Sequence, residues 1–116
     1  MPNYKNLIVF QKADELAFQI YKATDQFPKT EIFGLTSQIR RSALSIPTNI
    51  VEGYSRRGKK ELGQFINIAL GSYAETKYLF NFSKRLGYFL KLILLRLKTS
   101  FQKLESYCGP FTVHCK

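Results

Sequence analysis

The sequence predicts an all-α protein, an antiparallel up-down four-helix bundle. Apolar residues recur at steps of three and four along four segments of roughly 20 residues, which is the spacing of amphipathic helices. Short connections containing Gly or Pro separate the segments, and no stretch alternates as a half-buried strand does. With 116 residues, of which 45% are hydrophobic, the chain is long enough for one core. We therefore predict a single domain over residues 1–116.

The first two helices are predicted over about residues 6–27 and about residues 35–53. Helix one ends at Phe27 because a residue before proline disfavours the helical conformation. In helix two, Pro47 removes a backbone hydrogen bond and crowds the carbonyl of Ala43, which predicts a kink at Pro47. The predicted apolar stripes are Val9, Ala13, Leu16, Ile20, Ala23 and Phe27 in helix one, and Leu35, Ile39, Ala43, Ile46 and Ile50 in helix two.

The last two helices are predicted over about residues 59–86 and about residues 89–108. Gly71, in the middle of helix three, predicts either a close crossing with a neighbouring helix or a local bend. Gly109 and Pro110 predict the end of helix four and a tail over residues 109–116. The inward residues are Leu62, Phe65, Ala69, Tyr73, Thr76, Phe80 and Ser83 in helix three, and Leu90, Ile93, Leu97, Phe101, Leu104 and Cys108 in helix four.

The face of helix two opposite its apolar stripe predicts an oligomer interface. Its side chains are short and polar, where a helix facing water would carry Lys and Glu. Arg41 and Arg40 precede Glu52 by 11 and 12 residues, about 16–18 Å along a helix, so these arginines could pair with Glu52 only across an interface. Alternatively, they join a basic surface. A neighbouring subunit could also bond the carbonyl freed by Pro47. The predicted interface residues are Arg40, Arg41, Ser45, Thr48, Asn49 and Glu52.

The charge of the chain predicts an anionic partner. Eighteen Lys and Arg residues against eight Asp and Glu give a net charge of +10, and nucleic acid is the first candidate. Arg56, Arg57, Lys59 and Lys60 cluster between helices two and three. Cations there oppose the helix dipole, while backbone amides at the same helix end favour a phosphate. The cluster therefore predicts a nucleic-acid-binding site, with a solvated basic loop as the alternative.

Catalytic and metal-binding patterns are weak in this sequence, so we expect no enzyme activity and no cofactor. The one histidine, His114, lies near the C-terminus, and no glycine-rich phosphate loop is present. Cys108, His114 and Cys115 match no common zinc spacing. The longest uncharged run, residues 62–74, is too short and polar to span a bilayer, and no secretory signal is visible. We expect a cytoplasmic protein without a membrane partner.

Four pieces of the sequence carry a family resemblance: FPKTEIFGLTSQIRR, SIPTNIVEG, KKELGQFINIALGSYAE and LGYF. From about Leu7 to Phe89 the chain resembles the four-helix-bundle family encoded in intervening sequences of bacterial 23S rRNA genes. The resemblance implies an up-down bundle, assembly into a ring that is typically a pentamer, no known enzyme activity and a nucleic-acid role. Family members usually have a polar linker after LGY, which is missing here. Either Gly87 makes a tight turn, or helices three and four are partly continuous.

Three classes of function compete. The leading one is a non-enzymatic oligomeric bundle that binds RNA, or DNA, through a basic surface. The second is an adaptor for a protein partner, similar to the distantly related accessory proteins of diversity-generating retroelements, which bind a reverse transcriptase. The third is a metal- or ligand-binding bundle enzyme, which the missing ligands disfavour.

Overall fold

The computed structural model describes the backbone of residues 3–115 and the side chains of residues 3–107. Its four long helices are α1 (Ile8–Ala23), α2 (Leu35–Ser55), α3 (Lys59–Arg85) and α4 (Lys91–Cys115). One 3-10 turn precedes α1, and two others lie between α1 and α2: Tyr4–Asn6, Thr24–Gln26 and Lys29–Glu31. No strand occurs between residues 3 and 115, which confirms the all-α prediction. None of the described helices is both long and apolar enough to cross a bilayer.

The apolar stripes of the four helices meet in one core. α2 packs most extensively against α3, and α1 contacts both α2 and α4. Phe80 of α3 packs against Phe89 and Phe101 with tilted rings, whose centroids are 5.3 and 4.9 Å away. Leu90 departs from the prediction, since it precedes α4 and is 62% exposed. The largest fully buried side chains are Leu16, Ile20, Ile39, Ile46, Leu97, Leu104, Thr76 and Ser83.

The connection from α1 to α2 is held by Glu31. The α-helix ends at Ala23, and Phe27 is buried in an extended conformation, as the following proline requires. Glu31 Oε1 accepts a hydrogen bond from the Leu35 amide at 3.2 Å, which satisfies one free N–H at the start of α2. Glu31 Oε2 accepts the hydroxyl of Tyr88 at 2.9 Å, and this bond raises the pKa of Tyr88. One carboxylate therefore joins the α1–α2 connection to the α3–α4 connection.

A tight turn at Gly87 separates α3 from α4, so the two helices are not continuous. Gly87 has φ +76°, in the left-handed region where glycine alone lacks a steric penalty. Its N–H donates to the Lys84 carbonyl at 3.0 Å, and the Tyr88 N–H donates to the Ser83 carbonyl at 3.1 Å. This is a Schellman motif, which caps the carbonyls at the end of α3 and redirects the chain.

The last helix extends beyond the predicted end. α4 continues through Gly109 and Pro110 to Cys115, so the tail predicted over residues 109–116 does not begin at Gly109. Proline is compatible with the helical φ angle, and in a helix interior it costs a hydrogen bond without forbidding the helix. Cys108, assigned to the inward face of this helix, lies outside the described side chains.

The close approach of α2 and α3 occurs at Gly53, not at Gly71. A Cβ atom on Gly53 would lie 3.0 Å from Leu62 Cδ1 and 3.1 Å from Phe65 Cβ. A Cβ atom on Gly71 would meet nothing within 4 Å, and Gly71 is exposed. Of the two alternatives for Gly71, a close crossing with another described helix of the same chain is excluded, and the local bend is left.

Candidate nucleic-acid interface

Three of the four predicted nucleic-acid-binding residues line one concave surface, which we call the basic hollow. The cations are Arg56, Arg57 and Lys59, and the remaining lining residues are Gly53, Tyr54, Gly58 and Leu62. The hollow has a volume of about 440 Å³. Lys60 is exposed but lies outside the lining. The three cations lie close together because only three residues separate the end of α2 from the start of α3.

The backbone of the connection is extended at both ends. Arg56 has φ −88° and ψ 155°, and its N–H donates to the Gly53 carbonyl at 3.2 Å. Gly58 has φ −97° and ψ 143°, and its carbonyl accepts the Leu62 N–H at 3.1 Å, which starts α3. The first amides of α3 therefore lie beside Arg57 and Lys59, at the positive end of the helix dipole.

The four cations differ in how far they are neutralised. Arg56 Nη2 lies 3.1 Å from Glu52 Oε2, and its guanidinium lies 5.3 Å from the centre of the Phe65 ring. Both members of the Arg56–Glu52 pair are 46% exposed, so water screens much of their attraction. Arg57, Lys59 and Lys60 form no ion pair with any residue whose side chain is described. The hollow therefore combines one oriented arginine with uncompensated positive charge.

Tyr54 is a lining residue that the sequence analysis missed. It is half-buried at the end of α2 and shares the basic hollow with the three cations. An aromatic ring beside Lys and Arg is the combination that single-stranded nucleic acids bind through base stacking and phosphate contacts. Its position in the sequence, two residues before Arg56, could have indicated that Tyr54 belongs to this site.

Arg40, predicted as an interface residue, is engaged within its own chain. Its Nε donates to Thr24 Oγ1 at 2.7 Å, and its Nη2 donates to the Tyr21 carbonyl at 3.1 Å and to Asp25 Oδ1 at 3.0 Å. Its guanidinium also lies 4.9 Å from the centre of the Tyr21 ring. Arg40 therefore joins α2 to the end of α1, and the predicted pairing with Glu52 of a neighbour would have to break these contacts.

The short polar side chains of α2 are also used largely within the chain. Ser45 Oγ lies 2.9 Å from Ser72 Oγ of α3, and Asn49 Nδ2 donates to the Ser45 carbonyl at 2.7 Å. Thr48 is exposed, and its hydroxyl donates to the Leu44 carbonyl at 2.7 Å. These contacts within the chain are a second explanation for the short polar side chains, beside the predicted interface.

The carbonyl freed by Pro47 is not available to a neighbouring subunit. That carbonyl belongs to Ala43, which is 0% exposed. Arg41 is different, because it is exposed and forms no ion pair with a described residue. Arg41 lines a shallow polar groove between α2 and α3 that also contains Ser45, Ser72 and Glu75. Arg41 and Thr48 are the two exposed members of the predicted interface set, and the other four are partly exposed.

The described side chains offer no metal centre. No three His, Cys, Asp or Glu residues among them come close enough together to hold a metal ion. The side chains of Cys108, His114 and Cys115 lie beyond the described part of the chain.

The comparisons with known proteins identify the family. A sequence model of the 23S rRNA-intervening sequence protein family matches residues 5–108. The chain belongs to this family. The match confirms the resemblance drawn from the four sequence pieces, and it includes the whole basic hollow. No curated protein matches the sequence.

The fold also matches a solved structure. The chain is similar to a protein of unknown function from the S23 ribosomal protein family of Bacteroides thetaiotaomicron. The two are 25% identical, with a TM-score of 0.73, and the match covers 86% of this chain and 94% of that one.

Proposed function

We propose that the protein is a non-enzymatic, oligomeric nucleic-acid-binding bundle, with RNA the favoured ligand, and that Arg56, Arg57, Lys59 and Lys60 contact its phosphates. The observation that carries the proposal is the basic hollow: Arg57 and Lys59 lie unpaired beside the N-terminal end of α3, next to Tyr54. The net charge of +10 agrees with an anionic partner.

Each component of the basic hollow has a role in this proposal. The free amides and dipole of α3 attract a phosphate, and the flexible Lys59 and Lys60 follow the backbone as point charges. Arg56 is already oriented by Glu52 and Phe65, so less side-chain entropy is lost when it binds. Tyr54 offers a surface for a base. None of these contacts distinguishes one base sequence from another, so binding is expected to be largely sequence-independent.

Self-association completes the proposal. The family resemblance favours a pentameric ring, in which the basic hollow would be repeated in every subunit and weak sites would act together. Exposed apolar side chains support an interface, since Phe33 is 95% exposed and Ile32 is 56% exposed. Arg41 of one subunit and Glu52 of the next are the proposed ion pair.

Two finer features of the architecture belong to the same proposal. The helices run alternately up and down, and α2 bends at Pro47. The first is supported by two pairs between α2 and α3, Ser45–Ser72 and Ser42–Thr76, because the partner in α2 moves backward along the chain as the partner in α3 moves forward. The second is supported by the place of Pro47 inside α2, where the proline is buried against the core. The cytoplasm remains the expected compartment.

The test replaces Arg56, Arg57, Lys59 and Lys60 by Gln and measures binding to a fluorescent RNA oligonucleotide between about 50 and 200 mM salt. A matched control replaces four exposed lysines outside the hollow, Lys5, Lys22, Lys29 and Lys98. We expect the hollow variant to bind more weakly, with the salt slope reduced by about 0.7 for each phosphate of a single strand that the variant no longer neutralises. The control should keep most of the slope.

Two results would refute nucleic-acid binding through the hollow. One is a hollow variant whose affinity and salt slope equal those of the control, which would move the contact towards Lys84, Arg85 and Lys91. The other is a parent protein that does not bind RNA or DNA at about 50 mM salt, which would favour the adaptor function. The helical circular dichroism and the oligomer mass of both variants should match the parent, because all eight replaced side chains are exposed.

A further inference from the structure

We infer that the groove between α1 and α4 is a second binding site for a nucleic-acid phosphodiester backbone, separate from the basic hollow. This inference rests on the proposed function, since it assigns a further surface to the same ligand class. The α1–α4 groove has a volume of about 350 Å³. It is lined by Lys12, Glu15 and Gln19 of α1 and by Leu95, Arg96, Thr99, Ser100 and Lys103 of α4.

The groove carries uncompensated positive charge. Lys12, Arg96 and Lys103 form no ion pair with any residue in the described part of the chain. The single carboxylate of the groove, Glu15, accepts a hydrogen bond from Gln19 Nε2 at 2.7 Å and pairs with none of the three cations. Three cations therefore face one carboxylate, and the groove attracts anions.

The rest of α4 adds to the positive charge near the groove. Between residues 91 and 107 the helix has four cations and one acid, Glu105. Two of the four cations, Lys91 and Lys98, lie outside the groove. Glu105 is already bound on the α3 side by Lys77 and Tyr73. No acid of α4 is left to neutralise the cations that line the groove.

The donors of the groove suit a phosphate chain. Lys and Arg side chains together with Ser, Thr and Gln donors are the groups that most often contact phosphates in protein–nucleic acid complexes. Ser100 places a half-buried hydroxyl between the two helices, and Gln19 adds an amide. Arg96 and Lys103 are seven residues apart, about 10 Å along one face of α4, so both cations can contact the same strand.

A nucleic-acid backbone fits this groove better than an acidic peptide does. Peptide recognition usually anchors apolar side chains in pockets, with charge adding specificity. Among the described lining residues, Leu95 alone is apolar, and it is 61% exposed and so forms no such pocket. A phosphate backbone needs cations and small donors, and these make up most of the lining.

The test replaces Lys12, Arg96 and Lys103 by Gln in the full chain. A matched control with the same loss of charge replaces Lys5, Lys22 and Lys29, which are exposed and lie outside both the groove and α4. Binding of a fluorescent RNA oligonucleotide is measured across a salt series. We expect the groove variant to lose about two units of salt slope and at least about tenfold in affinity at low salt, and to lose clearly more than the control does.

A second measurement places a photo-cross-linking amino acid at Gln19 in an otherwise unaltered chain, so that it does not depend on the folding of the triple variant. We expect cross-links to RNA. A parent that binds RNA, with a groove variant equal to the control, would overturn the groove site and leave the basic hollow intact. A parent that does not bind RNA would overturn both. Cross-links to a poly-glutamate peptide with none to RNA would overturn the groove site in favour of an acidic protein partner.

Discussion

Two buried threonines differ in how their hydroxyl groups are satisfied. Thr76 Oγ1 is completely buried within hydrogen-bond distance of two groups, Ser42 Oγ at 2.9 Å and the Ser72 carbonyl at 2.7 Å. Thr36 is 6% exposed, and its Oγ1 has no hydrogen-bond partner within the described residues. Burying an unpartnered hydroxyl costs about 1–3 kcal/mol. Thr36 is therefore a position where the chain can be stabilised.

We predict that Thr36→Val raises the free energy of unfolding by about 1 kcal/mol, because valine keeps the β-branched shape and removes the unpartnered hydroxyl. The matched change, Thr76→Val, should lower the free energy of unfolding by about 1 kcal/mol, since the substitution removes the hydrogen bonds of the Thr76 hydroxyl. Urea unfolding of both variants at equal protein concentration measures the two effects. A Thr36→Val protein no more stable than the parent would contradict the prediction.

At the residue scale, periodicity predicted burial but not polar partners. Ile39, Ala43 and Ile46 follow directly from the apolar stripe of α2, because a helix repeats its face every three to four residues. The bonds of Arg40 could not be predicted in this way. They depend on how the end of α1 lies beside α2, and nothing local to Arg40 points to Asp25.

At the element scale, the contact between α2 and α3 depends on Gly53. We predict that Gly53→Ala destabilises the protein by about 1–3 kcal/mol relative to Gly71→Ala. The added methyl group at Gly53 must displace Leu62 and Phe65, whereas at Gly71 it enters open space. Gly71→Ala should itself raise stability by about 0.5–1 kcal/mol, because alanine is the better helix former. Equal stability of the two variants in urea unfolding would show that α2 and α3 accommodate the methyl group at Gly53 without a loss of folding free energy.

The polar contact between α3 and α4 predicts a dependence of stability on pH. The hydrogen bonds from Lys77 and Tyr73 lower the pKa of Glu105 below its usual value of 4.5. Glu105 therefore contributes stability that is fully present above pH 4.5 and is lost as the pH falls through its lowered folded-state pKa. Because the side chain is 39% exposed, the contribution is expected to be about 0.2–1 kcal/mol.

The corresponding experiment compares Glu105→Gln with the parent in urea unfolding from pH 7 down to pH 3. The variant should be less stable at pH 7, and the difference should shrink below pH 4.5. Glu75→Gln serves as the control, since Glu75 is exposed and forms no ion pair with a described residue. A difference between Glu105→Gln and the parent that stays constant over this range would show that Glu105 acts through packing alone.

Connections were the least predictable elements. The turn at Gly87 was one of two alternatives, because glycine permits the left-handed conformation without requiring it. Gly109 and Pro110 were expected to end α4, yet the helix continues to Cys115. The helix propensity of a residue contributes little to the free energy of folding, and interactions with neighbouring residues readily override it.

At the scale of the whole molecule, the last described part of the core lies at Leu104 of α4. Leu104 is 0% exposed, and the family match ends at residue 108. We predict that a chain truncated after Tyr107 keeps the fold, with helical circular dichroism per residue and a melting temperature close to the parent. Aggregation of the truncated chain, or loss of most of its helical signal, would show that residues 108–116 pack on the core.

The basic surfaces show what the sequence could predict at this scale. The hollow was visible in the sequence because its three cations, Arg56, Arg57 and Lys59, lie within four residues of one another. The α1–α4 groove was not, because Lys12 and Arg96 lie on different helices, and only the fold brings them together. Net charge predicted a class of partner and the cluster predicted one surface, whereas the groove required the structure.

The last prediction concerns the mass in solution. We expect several chains per particle, with five favoured, because Phe33 and Ile32 leave apolar surface that a partner subunit could cover. Arg41→Glu should lower the mass if Arg41 meets Glu52 of the next subunit, and adding Glu52→Arg should restore it. Arg57→Glu reverses the same charge in the exposed connection and should leave the mass unchanged. Light scattering that returns 13.4 kDa for the parent at micromolar concentration would exclude the ring. A double variant no larger than Arg41→Glu alone would exclude the pairing while leaving the ring intact, since Glu52 also holds Arg56 of its own chain.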